Sequence, residues 1–468
     1  MVNCIRRTAC AALLLQLIGC GGGRLSLLDD PLYERVVDVD RFPGDSDRLS
    51  TTSPFKAGSA PVTVRLPDDG RLTLDQAIRI ALLNHPDLRR SASAVRAASG
   101  RELQVGLYPN PKFAIEAESL GSDAGDGGET AFLFAQEIVM AGKRRKSQAV
   151  ARADRYIQQA ALRATAFAVM TRVRSAFSRA AAAEDRLTAE RELLGLADEL
   201  LDAAVRQVDA GAATETDRLR AQVVREQASI DFHAAETASQ ATRRSLASAL
   251  GLDTPLTISI IMDLSLLPQL PDRDKTVELV LMHNADLKRA RLAIERAGRA
   301  YELARSRAIP NIVATVGPRF SDIENETTLD AGFEVAIPIF DRNQGDIAVA
   351  IAQRIGAGAT LRSVRLRLME RVAKARSAFE TAHYAATQYS ITLLPMAQRT
   401  LELTREAYRA GKTDYLRLLD AQQTFIRSRI AYIDALEALH ESAAILEGLM
   451  QRDMPWSVES NDSLEMTP

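Results

Sequence analysis

The sequence predicts a mainly α-helical protein with a small β part, built from two homologous repeats. Long stretches are rich in alanine, leucine, arginine and glutamate, and aromatic residues make up only 5% of the chain, which is typical of long helices. The same residues also recur at a separation of 200, as in Gly211 with Gly411 and Gln222 with Gln422. Solenoid repeats are roughly 20 to 50 residues long. A separation of this size therefore indicates one duplication and two equivalent halves.

The N-terminal segment has the pattern of a secretory signal. Arg6-Arg7 precede an apolar run over 9–18, and Gly19-Cys20 follow it. Basic, apolar and small residues in this order predict a signal peptide over 1–19. The run Leu17-Ile18-Gly19-Cys20 resembles a bacterial lipobox. We expect Cys20 to be lipidated; the alternative is an ordinary cleaved signal with an incidental cysteine. Residues 20–70 lack periodicity, which predicts an extended tether after the lipid.

The composition and the absence of motifs exclude several function classes. The formal charge of −2 becomes −4 if Arg6 and Arg7 are removed, which argues against a nucleic-acid partner. No phosphate-binding glycine loop, nucleophile elbow or paired carboxylates are present. The five histidines have no ligand spacing. We therefore expect a non-enzymatic protein with no metal site and no cofactor other than the lipid on Cys20.

The first repeat is expected over 71–251. A helix begins near residue 73, breaks at Pro86 and ends before Pro109, because proline disrupts helices. A β-hairpin is expected over 112–139 and a long helical hairpin after it, with its turn at residue 211.

The second repeat, over 272–450, follows the same plan. Its β-hairpin is expected over 311–340 and its helical turn at residue 411, and residues 451–468 are expected to form a flexible tail. The last strand, Thr328–Ile339, alternates apolar with polar residues, which predicts a sheet with one apolar and one polar face.

The helices that follow the β-hairpins have no convincing stop signal. They are expected to run from Gly142 to about Asp209 and from Arg342 to about Ala410, roughly 100 Å each at 1.5 Å per residue. A seven-residue leucine-rich spacing predicts a coiled-coil seam. Its members are Leu187, Leu194, Leu201 and Val208.

Four strands cannot close a barrel, for which about eight are needed. Strands of about ten residues with apolar and acidic faces are typical of transmembrane barrels, where unpaired backbone groups cost several kcal/mol each. We therefore expect several chains to pool their strands into one barrel, continued by a tube of helices.

This layout over 71–450 resembles the TolC family of outer-membrane efflux channels. The segment from Tyr408 to Gln422, with Gly411 at its turn, resembles the family's tip hairpin, and Gly211 to Gln222 resembles its first-repeat counterpart. The resemblance implies a homotrimer in the outer membrane, in contact with its lipid, with a 12-stranded β-barrel and a periplasmic helical tunnel. It also implies a periplasmic adaptor that contacts the turns at Gly211 and Gly411, and an RND-type pump in the inner membrane.

A second motif refines the resemblance. The run from Ile337 to Gly345, which includes Pro338, Asp341 and Asn343, resembles the barrel–tunnel junction of the lipoprotein subgroup that serves cobalt–zinc–cadmium efflux. We expect Pro338 to end strand pairing and Asp341 or Asn343 to cap the following helix. Ile138 stands where the second repeat has Pro338, so the first junction should bend differently.

The resemblance also assigns residues to the periplasmic mouth. Asp420 matches an acid that narrows it, whereas Arg417 replaces a second acid, so the acidic ring should be weakened. Asp420 could instead pair with Arg417 on the same helix. Thr216 and Asp217 match positions that hydrogen-bond the residue corresponding to Tyr408. The arginine that completes this latch in the family is Thr413 here, so any latch should be looser.

The favoured function is a passive exit duct for heavy-metal cations. One alternative is the export of organic compounds or proteins through the same architecture. An alternative of a different class is a structural coiled-coil lipoprotein without a pore, which the paired strands argue against.

Overall fold

The computed structural model describes residues 70–118, 128–211, 213–256, 258–270, 272–321 and 326–452. The expected signal peptide, Cys20, most of the tether and residues 453–468 lie outside these ranges. None of the helices in the described ranges is long and apolar enough to cross a membrane.

Both repeats contain two short helices, a β-hairpin and a long helical hairpin. The first repeat comprises β1 (Arg71–Leu72), α1 (Leu74–Asn84), α2 (Pro86–Gly106), β2 (Lys112–Glu118), β3 (Glu129–Ile138), α3 (Lys143–Asp209) and α4 (Glu215–Ala249). The second comprises β4 (Ser259–Ile260), α5 (Arg273–His283), α6 (Ala285–Arg307), β5 (Ile312–Ser321), β6 (Glu326–Val335), α7 (Gln344–Gln388), a π-helical segment (Tyr389–Leu393), α8 (Leu394–Arg409) and α9 (Tyr415–Met450). The predicted mainly α-helical, duplicated fold is confirmed.

The short helices of the two repeats begin in equivalent ways. Thr73 caps α1 in a capping box with Gln76, and Asp272 caps α5. The predicted break at Pro86 is confirmed, because α1 ends at Asn84 and α2 begins at Pro86 itself. Proline is tolerated at the first helical position, where its missing N–H would have no partner.

The four long strands form one antiparallel sheet in the order β2-β3-β5-β6. Both predicted hairpins are therefore confirmed, and β3 pairs with β5 to join the two repeats in one sheet. A second, two-stranded parallel sheet pairs β1 with β4. The sequence analysis did not foresee this pair, since each strand has only two residues.

The last strand is shorter than predicted. β6 ends at Val335, which pairs with Ile312 at the start of β5. Pro310 and Asn311 precede Ile312, so the partner strand ends there and the ladder cannot continue. The expectation that Pro338 ends strand pairing is therefore wrong.

The second long helix spans the predicted range, but it contains a π-helical turn that the sequence did not predict. α7 passes into the π-helical segment, and α8 then begins with Pro395 as its second residue. Proline has no N–H to donate and its ring clashes with the preceding turn. A single π-helical turn accommodates this defect without ending the helix. The first repeat has no proline within α3, which runs uninterrupted for 67 residues.

Small residues form part of the core between α3 and its neighbouring helices. The predicted seam residues Leu187, Leu194, Leu201 and Val208 are half-buried in the single chain, so the seam stays a prediction. Alanines at a similar spacing are more deeply buried in this part of α3. They are Ala182, Ala189, Ala197 and Ala204. Because α3 packs against both α4 and α9, small side chains allow close approach on two sides.

The end of the second repeat extends further than predicted. Gln451, assigned by sequence to the flexible tail, is buried and adopts a left-handed conformation with φ of 49°. Its side-chain oxygen accepts a hydrogen bond of 2.7 Å from the backbone N–H of Ala285. Gln451 therefore ties the end of α9 to the start of α6.

Candidate functional site

Two tight turns connect the long helices, one in each repeat. Gly211 ends α3 with φ of 73°, and Gly411 follows α8 with φ of 66°. A side chain would meet no atom within 4 Å at either position. The glycines are therefore required for their left-handed backbone, which is costly for residues with a Cβ.

The turn at Gly411 has the hydrogen bonds of a Schellman motif. The N–H of Gly411 donates to the carbonyl of Tyr408 at 3.0 Å, and that of Lys412 donates to the carbonyl of Ala407 at 2.8 Å. At the other turn, the N–H of Gly211 donates to Val208 at 2.9 Å. In both turns the N–H of the left-handed glycine thus satisfies a helix-terminal carbonyl.

The helices that return from the turns are capped by different residues. Thr214 caps α4 in a capping box: the Asp217 carboxylate accepts hydrogen bonds from the Thr214 N–H at 3.0 Å and hydroxyl at 2.6 Å. These bonds lower the pKa of Asp217. Asp414 caps α9 by accepting the N–H of Arg417 at 3.0 Å. Asp217 therefore fixes the start of its own helix.

An apolar cluster holds the ends of α3, α4, α8 and α9 together. It comprises Leu200, Ala204, Ala221, Leu401, Leu418 and Ala421, and Tyr408 packs against it. Ala221 and Ala421 occupy equivalent positions of the two repeats. The two helical turns and this cluster are referred to below as the tip.

The structure corrects two expectations about the tip. The carboxylate of Asp217, expected to bond Tyr408, is bound to Thr214, while Thr216 is exposed. Arg417 and Asp420 are also exposed, and no ion pair within 4.0 Å joins them in the described part of the chain. Asp420 is thus not neutralised by Arg417 within one chain.

One tip residue was missed by the sequence analysis. Arg220 lies 200 positions before Asp420, just as Asp217 lies 200 positions before Arg417. The two repeats thus carry opposite charges at both equivalent positions. An alignment of the two repeats at their offset of 200 residues pairs Asp217 with Arg417 and Arg220 with Asp420. This alignment reveals the reversal of charge from the sequence alone.

The second sheet-to-helix junction differs from the expected capping arrangement. Asn343 occupies the N-cap of α7 in a left-handed conformation, but its side chain does not cap the helix. Its amide donates instead to the carbonyl of Ala304 in α6 at 2.8 Å. The Asp341 carboxylate accepts the N–H of Asn343 at 2.8 Å, and Gly345 is the second residue of α7. Asp341 and Asn343 thus fix the turn between β6 and α7 and its contact with α6.

The first junction bends differently. Ala141 and Gly142 are both left-handed, with φ of 59° and 65°. The side-chain oxygen of Asn311 accepts hydrogen bonds from the Met140 N–H at 3.2 Å and the Lys143 ammonium at 2.6 Å. Asn311 precedes β5, so it links the first junction to the sheet of the second repeat.

The four-stranded sheet has one apolar and one charged face. Directly paired residues share a face, so Phe113, Phe134 and Val316 lie together. Leu329 and Phe333 lie on the same face and are 72% and 81% exposed. The aromatic residues also contact one another, as do Phe113 and Phe134 with centroids 5.0 Å apart.

The opposite face carries a network of charges centred on Arg319. Its guanidinium lies 2.8 Å from Asp330, 3.1 Å from Glu129 and 3.7 Å from Glu118. The four residues come from all four strands. Charges are thus confined to the face opposite the exposed aromatic residues.

The duplicated helical hairpin and its two-faced sheet agree with a family match in each repeat. Residues 77–252 and 276–450 match the family described as outer membrane efflux protein. The chain belongs to this family.

Individual relatives agree with this assignment. The chain is 25% identical over 384 residues to the cobalt-zinc-cadmium resistance protein CzcC of Cupriavidus metallidurans, covering 82% of this chain and 91% of that protein. It is 28% identical over 341 residues to the nickel-cobalt-cadmium resistance protein NccC of Alcaligenes xylosoxydans xylosoxydans, covering 68% and 75%. The fold is similar to that of CusC, with a TM-score of 0.70, 19% identity and coverage of 81% and 91%.

Proposed function

We propose that this outer membrane efflux protein is the passive exit duct of a tripartite system that exports heavy-metal cations. The observation that carries the duct is the four-stranded sheet. Its outer strands, β2 and β6, have no further partner strand in the described residues. In lipid such edges must be paired, and three copies would supply twelve strands, enough for a closed barrel.

The two faces of the sheet fit this arrangement. The exposed aromatic face, with Phe333 81% exposed, would meet the hydrocarbon, and the Arg319 network would line the lumen. Cys20 would carry a lipid in the same membrane. The tip would lie in the periplasm, where the turns at Gly211 and Gly411 would contact the adaptor of an inner-membrane RND-type pump.

The substrate class rests on the relatives. Two of them are resistance proteins for cobalt, zinc and cadmium and for nickel, cobalt and cadmium. A duct needs no metal site of its own, because the pump selects the cargo. The described residues contain no group of three or more histidine, cysteine or acidic side chains that could hold a metal ion.

Survival of a deletion strain tests the substrate. The strain is grown on zinc, cobalt, cadmium, nickel and copper, beside dyes and antibiotics. We expect sensitivity to metals alone, restored by the wild-type gene. Sensitivity to organic compounds alone would retain the duct and overturn the substrate class.

The assembly is tested separately on the purified protein in detergent. We expect an SDS-resistant or heat-modifiable trimer with a β contribution in circular dichroism. A monomer without this contribution would favour a structural lipoprotein without a pore.

A further inference from the structure

The two edge strands of the four-stranded sheet carry opposite charges near the helices. β2 has one basic residue, Lys112, which is its first residue. β6 has no basic residue, and acids recur along it at every fourth position: Glu326, Asp330 and Glu334. Residues four apart in a strand lie on the same face of the sheet. The three acids therefore form a row along the edge that β6 provides.

Lys112 lies on the same face as this row of acids. A line of directly paired residues crosses the sheet from β2 to β6, through Lys112, Ala135, Thr315 and Gly332. Gly332 stands between two of the acids in the alternation of β6, and direct partners share a face. Lys112 and the acids are thus all on the charged face that carries Arg319.

Lys112 and Glu334 are the charges at these edges that have no counter-charge near the helical end. Both are exposed, and no ion pair within 4.0 Å involves either of them in the described ranges. Asp330 differs, because its carboxylate lies 2.8 Å from the guanidinium of Arg319. Glu326 begins β6 and is at its far end. Glu334 is therefore the acid of β6 that is available to Lys112.

In a closed barrel, β6 of one copy must pair with β2 of the next, because lipid leaves no strand edge unpaired. The two strands would run antiparallel, since β2 begins and β6 ends at the end of the sheet that joins the helices. Pairing Lys112 with Gly332 would give no stagger between copies, whereas closure of a barrel requires one.

The direction of the stagger follows from the ends of the strands. A shift of Lys112 towards Asp330 would place the last residues of β2 beyond the start of β6. It would also bring both prolines that precede β2 into the ladder, where proline has no N–H to donate. A shift towards Glu334 keeps all seven residues of β2 opposite β6. Glu116 would then lie opposite Asp330, whose charge Arg319 already compensates.

We propose that Lys112 of one copy forms an ion pair with Glu334 of the next copy and so sets the strand register at each contact between chains. This inference rests on the proposed duct, because the two edges meet only in a closed barrel. Opposite charges on neighbouring antiparallel strands attract whether they are directly opposite or diagonal. The pair therefore forms whether the stagger is two residues or slightly more.

Carbodiimide coupling of the wild-type protein in detergent tests this pair. The reagent joins an amine to a carboxylate in contact with it and adds no spacer. Within one chain, Lys112 and Glu334 are on opposite edges of the sheet, three strand spacings or about 14 Å apart. A link between them can thus form only between copies. We expect covalent oligomers on denaturing gels and a Lys112–Glu334 link in peptides analysed by mass spectrometry.

Charge exchange provides a second measurement. Lys112→Glu places an acid beside Glu334 and should lower the temperature at which the trimer dissociates on heated gels. The additional change Glu334→Lys should restore the wild-type temperature. Glu326→Lys in place of Glu334→Lys is the matched control, because it adds the same charge to the far end of the same strand and should not restore it.

The outcomes separate this pair from the proposed duct. A trimer that yields no Lys112–Glu334 link, or that the charge exchange does not restore, overturns the ion pair and leaves the duct intact. A wild-type protein that is monomeric in detergent overturns both proposals.

Discussion

The second helix of each repeat begins with a different capping residue, His85 or Asn284. Asn284 accepts the N–H of Asp286 at 3.0 Å, and His85 Nδ1 accepts that of Asp87 at 3.2 Å. His85 is 4% exposed, and its Nε2 lies 3.2 Å from a guanidinium nitrogen of Arg172. Protonation would place a second positive charge beside Arg172. Burial chiefly lowers the pKa of His85; Asp87 raises it and Arg172 lowers it.

The lowered pKa of His85 predicts that the protein loses stability as the pH falls. A histidine with a depressed folded-state pKa contributes stability above its unfolded pKa of about 6.5, and this contribution is lost as pH falls through the folded value. His85→Asn, which copies the cap of the other repeat, should remove this acid-dependent loss. Thermal midpoints at about pH 7.5 and about pH 5 measure it. His233→Asn, at a histidine whose side chain is 80% exposed, should keep the wild-type profile, and an unchanged profile for His85→Asn would contradict the assignment.

A buried carboxylate joins α2 to α3. Glu102 is 4% exposed and accepts hydrogen bonds of 2.8 Å from the Nε of both Arg152 and Arg155. Glu102→Gln leaves two guanidinium groups without a counter-charge. We expect a destabilisation of about 2 kcal/mol, below the 3–5 kcal/mol of fully buried pairs because Arg152 is half-exposed. Chemical denaturation measures it, with Glu302→Gln at an exposed position of α6 as the control; equal effects would show that the Glu102 contacts contribute little.

At the scale of elements, the junction of β3 with β5 depends on one glycine. A Cβ on Gly317 would lie 1.9 Å from the carbonyl oxygen of Phe132. Pro318 follows, and it has no N–H to donate to β3. The two strands are paired on either side of this point in the same register. The close contact of the two backbones at Gly317 thus allows β3 and β5 to remain paired on both sides of Pro318.

Gly317→Ala should therefore disrupt the sheet. Neither backbone can move without breaking the neighbouring strand pairs, so we expect loss of the heat-modifiable oligomer on gels. Gly332→Ala is the matched control, because a Cβ at that strand position meets no atom within 4 Å. An intact oligomer in both variants would show that β3 and β5 tolerate a wider separation.

The π-helical segment distinguishes the second long helix from the first. Tyr389–Leu393 end two residues before Pro395, so the wide turn accommodates the missing N–H. Pro395→Ala supplies this N–H and should convert the segment into an ordinary helix. Hydrogen exchange of peptides that cover 389–399 should slow. Pro86→Ala, at a helix start where no N–H is needed, should leave exchange of this segment unchanged; exchange as in the wild type for Pro395→Ala would mean that another residue causes the π turn.

At the scale of the whole molecule, duplication places equivalent residues in one apolar cluster at the tip. Ala221 and Ala421 belong to that cluster, beside Arg220 and Asp420. In the proposed trimer three Arg220 and three Asp420 side chains would surround the mouth. An alternating ring should attract cations less than the purely acidic ring that the family resemblance implies.

Substitutions of Asp420 and Arg220 test this arrangement. If it lines the mouth, Asp420→Ala should change the conductance or cation block of channels in planar bilayers, and Arg220→Ala should change them in the opposite direction. Asp274→Ala, at an exposed position of α5, should behave as wild type. Channels unaltered by either tip substitution would place both residues away from the conduction path.

The sequence by itself determined the features that depend on neighbouring residues or on regular periodicity. The duplication, the break at Pro86, both β-hairpins and the helical turns all follow from local patterns. They could be predicted because helix periodicity, strand alternation and glycine conformations act within a few residues.

Only the tertiary structure decided features that depend on residues distant in sequence. The alanines from Ala182 to Ala204 are buried because two helices pack on this part of α3 at once. The end of β6 is set by the start of β5, and Asn343 serves α6 rather than its own helix. Lys112 and Glu334 likewise share a face of the sheet only because β3 and β5 pair between their strands. Burial and pairing across three elements are properties of packing, and no single stretch of sequence records them.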